Sequence, residues 1–577
     1  MILQSLSRYY ERKQASPDSG LAPAGMEWKE LAFVLVLDDR GKLLRIEDTR
    51  RALKGKLRGA SYLVPQGEKR ASGIRANLLW DNVEYALGIA REGENPEIVA
   101  RRHGAFVDRI AAINNGDQGV SAVVQFLGSL DAKALHASEQ GVALTSAGNP
   151  NVGFRLVTDS PGTLVCSRAA VLSSKSESAS SSPKHAICLV RAQPDEPARL
   201  HPAIRGVWGA QTAGANLISF NLAAFDSYGK SQGANAPVGH TAAFNYTTAL
   251  NHLLRSDSAN RIQIGDASTV FWASEDSPFE DSFASFFNDP PADDPDRNVR
   301  VVSGLYQSIA NGVYLGGDKD AEFSVLALSP NAARLSVRFW IQGRVAELAP
   351  RLLQHFDDLR IVRPAFEPEF LPLWRLLRST ALLSKSENVP PNLAGDTIRS
   401  ILEGLPYPAT LLAAAIRRVR AERSIPYARA AVIKACLNRQ LRSHPDSEVT
   451  VSLRADHPST AYQLGRLFAA LERVQSIAQP GINSTIRERY YGAASSTPAS
   501  VFAILLRLKN HHIAKFESTG LKIWAERLLT EIFGRFDNFP RQLALHDQGL
   551  FAIGYYHQQQ DFFAARPSAA PTSETHP

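Results

Sequence analysis

The residue order predicts an α+β protein: a mixed α/β N-terminal region followed by an all-α C-terminal helical bundle. Three observations carry this. Strand-length runs of β-formers alternate with helix-spaced stretches up to about residue 343. From about residue 350 five helix-length apolar-periodic runs follow one another across short Pro or Gly breaks. A chain of 577 residues is also too long for one core. The expected parts are an α/β region at 1–345, a helical bundle at 346–565 and a disordered tail at 566–577.

Taken in order, residues 1–13 read as a short amphipathic helix stopped by Pro17, Gly20, Pro23 and Gly25. ELAFVLVL and KLLRIED flank Asp38, Asp39, Arg40 and Gly41, which makes a hairpin. The chain then carries Arg50, Arg51, Lys54, Lys56, Arg58, Lys69 and Arg70, with Glu68 the only acid after Asp48. A basic flexible loop is expected there, and a solvated surface loop accounts for the same residues. Asn95 followed by Pro96 is a cap and first-turn pair opening a helix over 95–114. SSKSESASSSP at 173–183 reads as a disordered loop bridging two strands, and CLVRA after it as a strand.

Residues 201–252 are dense in Gly, Asn, Gln and aromatics and nearly free of carboxylates. Amides offer a donor and an acceptor together, which suits reading a polar surface such as a base-pair edge. Glycine-rich turns capped by those amides are the alternative. Residues 274–296 hold eight carboxylates and no Lys or Arg, a solvated acidic loop or docking surface whose spacing fits no Ca²⁺ loop. AEFSVLALSP and ARLSVRFWIQG then read as a strand pair.

The helical runs are 409–424, 427–443, 459–478, 497–516 and 521–536. Leu464, Phe468, Leu471 and Val474 share one face of the third, and Trp524, Leu528 and Ile532 one face of the fifth, so both stripes are core.

Sixty-four basic against 57 acidic residues leave +7, and the surplus is localised. Between Arg399 and Arg541 stand 21 basic and 11 acidic residues, an excess larger than that of the whole chain. A polyanionic partner for this part follows. Cys166, Cys188 and Cys436 are too dispersed for a zinc knuckle and cannot all pair, which points to a reducing compartment and a cytoplasmic location. The longest apolar run, LAFVLVL, is far short of a membrane span, and Glu11 and Arg12 stand where a signal peptide would be apolar, so no membrane role is expected.

Gly229-Lys230-Ser231-Gln232-Gly233 matches G-x-S-x-G, but it lacks a preceding buried strand, and Pro237 stands where the helix should develop. His546 and Asp547 form one His-Asp pair, and adjacent His511 and His512 diverge by about 100° on a helix, so neither builds a metal site alone. There is no Walker A sequence. No catalytic residue, metal or cofactor is expected.

MILQSLSRYY, LVPQGEKRASGIRANLLWDNVEYALG at 63–88, the 201–252 segment and RIQIGDASTVFW at 261–272 together resemble the large subunit of the type I-C CRISPR surveillance complex, Cascade. The resemblance covers most of the first 340 residues. It implies a non-enzymatic subunit in a complex with a guide RNA, backbone-repeat subunits and a guide-end subunit. Such a subunit reads a short motif beside the target in double-stranded DNA, opens the duplex, stabilises the displaced single strand and recruits a helicase-nuclease. The other classes weighed are a metal-dependent nuclease using the His-Asp pair and a guide-RNA-binding or processing protein.

On that basis the motif contacts are expected from Lys69, Arg70, Ser72, Arg75, Asn77 and Asn82, and from Gln211, Asn216, Asn221, Lys230, Gln232 and Asn235. Cations position phosphates and amides read edges. The displaced strand is expected on Arg417, Arg418, Arg420, Arg423, Arg487, Arg489, Arg507, Lys509 and Lys515. The resemblance also implies a small subunit made by internal translation of the same gene. Only Met1 and Met26 occur, so such a start needs an alternative codon, with Val449, Val451 and Leu453 well placed before the helix at 459. The product would keep Arg466, Arg473, Arg487, Arg489, Arg507, Lys509, Lys515, Lys522, Arg527, Arg535 and Arg541 for nucleic acid.

Overall fold

FVLVL at Phe33–Leu37 is buried at all five positions. A strand apolar at every position must be covered on both faces, and this one is the parallel partner inside a mixed sheet. The structure, a computed structural model, describes residues 1–16, 19–53, 56–68, 70, 73–113, 116–172, 186–264, 267–288, 294, 297–310, 320–441 and 447–563. It comprises two compact units, Met1–Ile204 with Asn216–His252, and Arg205–Ala215 with Leu253–Pro577.

The first unit opens with α1 (Ile2–Gln14), which buries Leu6, Tyr9 and Tyr10. Its strands are β1 (Met26–Leu31), β2 (Phe33–Leu37), β3 (Leu43–Asp48), β4 (Arg51–Leu53), β5 (Lys56–Arg58), β6 (Ala60–Pro65), β7 (Trp80–Asn82) and β8 (Asn151–Leu156). The sheet order is β3-β2-β8-β7, with β2 and β8 parallel. The expected β2–β3 hairpin is present, with Gly41 at φ +74 in its turn. Helices α2 (Val83–Leu87), α3 (Pro96–Ala111), α4 (Gln118–Ser129), α5 (Ala132–Ala137) and α6 (Glu139–Ser146) follow, then β9 (Ala186–Ile187), β10 (Pro194–Asp195) and α7 (His240–Leu253). Asn95 caps α3 by accepting from the Glu97 amide at 2.9 Å, as the Asn-Pro pair predicts. Phe106, Val123, Phe126 and Phe154 centre the core.

In the second unit β11 (Arg261–Ile264), β12 (Ala267–Ala273), β13 (Glu322–Asn331) and β14 (Arg334–Arg344) form an antiparallel meander, including the expected β13–β14 pair. Helices α8 (Pro278–Phe283) and α9 (Arg297–Ala310) lie between β12 and β13. After the sheet come α10 (Val345–Leu359), α11 (Leu373–Ser379), α12 (Pro391–Glu403), α13 (Ala409–Glu422), α14 (Tyr427–Leu441), α15 (Thr460–Ala478), α16 (Ile486–Ala494), α17 (Pro498–Ala514), α18 (Thr519–Phe533) and α19 (Leu545–Phe563). One apolar cluster runs from Ile262 in the sheet to Tyr556 in α19. The α15 stripe is fully buried, and Trp524 and Leu528 pack beside the buried Ile532. Among the described residues no helix is long and apolar enough to cross a membrane.

Three local expectations are corrected. As far as Pro65 the basic stretch after Asp48 forms strands, because β6 pairs along β1 and β4 pairs with β5, and the described residues from Gln66 to Arg70 lie in a loop as expected. CLVRA is a turn, closed by the Cys188 amide donating to the Gln193 carbonyl at 2.9 Å and the Ala192 amide to the Cys188 carbonyl at 2.8 Å. The acidic stretch contains α8, capped by Ser277 and held by buried Phe279 and Phe283. Its Glu280, 7% exposed, accepts from the Asn260 amide at 2.7 Å and from the Ala273 backbone at 2.9 Å. Residues 173–183, Lys69, Ser72, Asp289, Asp293, Asp296 and the 566–577 tail lie outside the described residues.

Candidate nucleic-acid interface

The loop leading from β6 into β7 is organised by Asp81 of β7, a carboxylate only 1% exposed. It pairs with Arg70, and its two oxygens accept from the Asn77 and Asn82 amides, each at 2.8 Å. Burial pushes its carboxyl up from the usual Asp value, and Arg70 opposes that. Arg70 also donates from Nε to the Arg75 carbonyl at 2.7 Å and lies 3.9 Å from the Tyr85 ring centre. Asn77 accepts from the Glu68 amide at 2.8 Å, and Asn82 caps α2 by accepting from Tyr85 at 3.2 Å. Arg70, Asn77 and Asn82 therefore frame the loop, and Arg75 projects from it exposed.

In the amide-rich segment, Ser227 and Lys230 exchange backbone hydrogen bonds at 2.9 and 3.3 Å around Tyr228 and Gly229, whose φ values are 52 and 70. Paired positive φ values are those of a type I′ turn, the tight form that matches strand twist. Asn235 braces it, accepting from the Ser227 amide at 3.1 Å and donating to the Gln232 carbonyl at 3.0 Å. The tip presents Tyr228, 98% exposed, beside exposed Lys230. Sequence reading missed Tyr228; the signal was a Tyr-Gly pair inside a polar run. Asn221 is exposed, whereas Asn216 and Gln232 are half-buried. Gln211 is exposed in the second unit, where its carbonyl closes a turn with Gly214 at 2.9 Å. Ser231 lies between the turn and a 3-10 turn at Gln232–Asn235, so the strand and helix of a nucleophile elbow do not flank it.

The helical cations divide. Arg417 and Arg420 are exposed on α13 and line a cleft of about 540 Å³ with Ala413, Ile416, Ala421, Gly492, Leu545 and Gln548. Arg489, Arg507 and Lys515 are exposed, as is Arg423 at the left-handed end of α13. Arg418 stands 3.9 Å from Glu422, Arg487 is held by Glu488 at 3.2 Å and Glu472 at 3.7 Å, and Lys509 by Glu526 at 3.1 Å.

Arg466 is a correction. At 1% exposed, it bonds Gln558 at 3.0 Å, Gln463 and the Ala455 carbonyl at 2.9 Å, and Glu531 at 3.1 Å, so it ties helices together and is closed to nucleic acid. Composition cannot separate such a cation from a surface one.

His546 Nδ1 lies 3.9 Å from Asp547 Oδ1, and among the described residues no three His, Cys, Asp or Glu gather as metal ligands. His512 is buried while His511 is exposed. The three cysteines are buried free thiols.

These features define a large two-unit α+β protein whose second unit ends in a long run of helices. The chain belongs to the CRISPR-associated protein (Cas_Csd1) family, whose profile matches residues 6–563. This is the family of the type I-C large subunit, so the chain is a CRISPR-associated Cascade component. No curated protein matches the chain.

Proposed function

We propose that this chain is the non-enzymatic DNA-recognition subunit of its Cascade complex. It reads the motif beside the target in duplex DNA, promotes opening, holds the displaced strand and recruits the helicase-nuclease. Guide pairing supplies the remaining specificity. The observation that carries this is family membership over nearly the whole chain. Two features of the surface support it. The braced turn offers an exposed ring and a cation, suited to stacking on a base and holding a phosphate. The exposed arginines of the helices offer a track for a single strand.

The test is motif discrimination by the assembled complex. Alanine at Tyr228, Lys230 and Asn221 should weaken motif binding, with a lost base contact costing about 1–3 kcal/mol at one base pair and a lost phosphate contact weakening all sequences alike. Unchanged affinity and discrimination would exclude the turn from duplex recognition. The small subunit from internal translation is part of the same proposal. Intact-mass measurement of the native complex should show a C-terminal fragment starting between residues 440 and 460.

A further inference from the structure

We infer that the cleft bounded by α13, α16 and α19 is a nucleobase pocket that takes one base of the displaced strand, with Arg417 and Arg420 holding it at the rim. This rests on the displaced-strand role proposed above and adds a base-binding site to it.

Ala413, Ile416, Arg417, Arg420 and Ala421 recur at helical spacing, so one face of α13 forms a wall that changes from apolar to cationic. Opposite, Leu545 and Gln548 come from the first turn of α19 and Gly492 from α16. The Gln548 amide is fixed by donating to the Leu543 carbonyl at 3.0 Å, which leaves its oxygen to accept from a ligand. Among the described residues neither Arg417 nor Arg420 has an ion-pair partner, unlike the neighbouring Arg418.

At about 540 Å³ the cleft falls in the range of ligand sites and holds more than a phosphate needs. A phosphate against Ala413, Ile416 and Leu545 would lose its hydration for nothing. A base gains from the same surface: its flat face covers the alkyl groups, a guanidinium plane stacks on it, and the Gln548 oxygen accepts from an exocyclic amino or ring N–H. The phosphate then stays at the wet rim with the second arginine.

Gly492 makes the site testable. Gly492 lines the cleft, and a Cβ built there meets nothing within 4 Å, so a substitution at this position has open space at its first carbon. Replacing a helical glycine also favours the helix.

The experiment measures anisotropy of a fluorescent oligodeoxythymidylate and of an abasic strand of equal length, bound by the full-length chain and its Gly492→Phe, Gly492→Ala and Arg417→Ala/Arg420→Ala variants. The chain should prefer the base-bearing strand by about tenfold. Gly492→Phe should abolish that preference while leaving abasic affinity and its salt dependence unchanged. Gly492→Ala should keep the preference, and the double arginine variant should weaken both strands. Equal binding of the two strands by the unmodified chain, or a preference that survives Gly492→Phe, would overturn the pocket and leave the strand-holding role standing. Binding of neither strand would overturn both.

Discussion

The helix pair α15 and α19 meets through its backbones at two glycines. A Cβ at Gly465 would lie 2.0 Å from the Phe551 carbonyl oxygen and 2.8 Å from the Tyr555 nitrogen, and one at Gly554 would lie 2.1 Å from the Tyr462 carbonyl oxygen. Carbon and carbonyl oxygen rest at about 3.3 Å or more, so alanine at either site drives the helices apart by about 1 Å. A gap of that size forfeits about a quarter to a half of each dispersion contact along the seam. It also stretches three buried interhelical bonds: Tyr462 to His557 at 2.8 Å, Arg466 to Gln558 at 3.0 Å and Tyr555 to Glu472 at 2.6 Å. Overpacking costs about 1–3 kcal/mol and each weakened bond up to about 1 kcal/mol, against a gain of about 1 kcal/mol in helix propensity. Gly465→Ala and Gly554→Ala should each destabilise by about 2–4 kcal/mol, a fall of about 3–6 °C in the thermal midpoint of a unit this large. Once one substitution has opened the seam the second is cheaper, so the pair should be sub-additive by about 1 kcal/mol or more. Calorimetry of the two single variants and the double variant decides it. Stabilisation by either alanine, as propensity alone dictates, or strict additivity would refute the close-packed seam.

His457 and His557 give the fold an acid limit. Burial, followed by Arg454 for His457 and Lys434 for His557, holds them down to about 4 and about 3. Both folded values lie below the ordinary value of about 6.5, so their stabilisation is complete above that and is lost as pH falls towards 4. Urea unfolding should show a loss of about 2 kcal/mol per histidine between pH 6.5 and 5, reduced in His557→Gln; a pH-independent midpoint would count against it. Arg439 donates to Asp358 at 2.6 Å and to the Ser400 and Leu405 carbonyls at 2.9 and 2.8 Å, so Arg439→Met should cost about 3–5 kcal/mol in a melt by stranding the buried acceptors. Exposed Arg489 and Arg507 should each contribute about 0.7 to the log–log salt slope of single-strand binding, and Arg507→Glu should slow stable strand opening more than first duplex binding; equal loss of both would contradict the division of labour.

Much of the fold was legible because local and tertiary preferences agree. Asn95-Pro96 both caps and starts α3, and the helices at Ala409–Glu422, Tyr427–Leu441 and Thr460–Ala478 begin and end where Pro, Ser and Gly signals stand. The acidic stretch hid α8 because its charge masks the Phe279 and Phe283 pair that buries. The meander lies in one unit with the helices, a matter of packing that composition cannot report. Among site residues, charge could be counted but its use could not. Arg417 and Arg466 are the same residue type on amphipathic helices, yet one lines an open cleft and the other is closed in by Gln463, Gln558 and Glu531. Asn77, Asn82 and Asn235 likewise read as free amides, and their oxygens hold backbone N–H groups that only the folded loops bring near.

Motif recognition by this chain is tested by assembling the guide RNA complex with and without it. Each assembly selects targets from a pool randomised at the positions flanking the guide-matched segment. With the chain present, the bound pool should be enriched for one flanking motif, and without it the flanking positions should stay random. The same flanking motif selected in the absence of the chain would contradict the account.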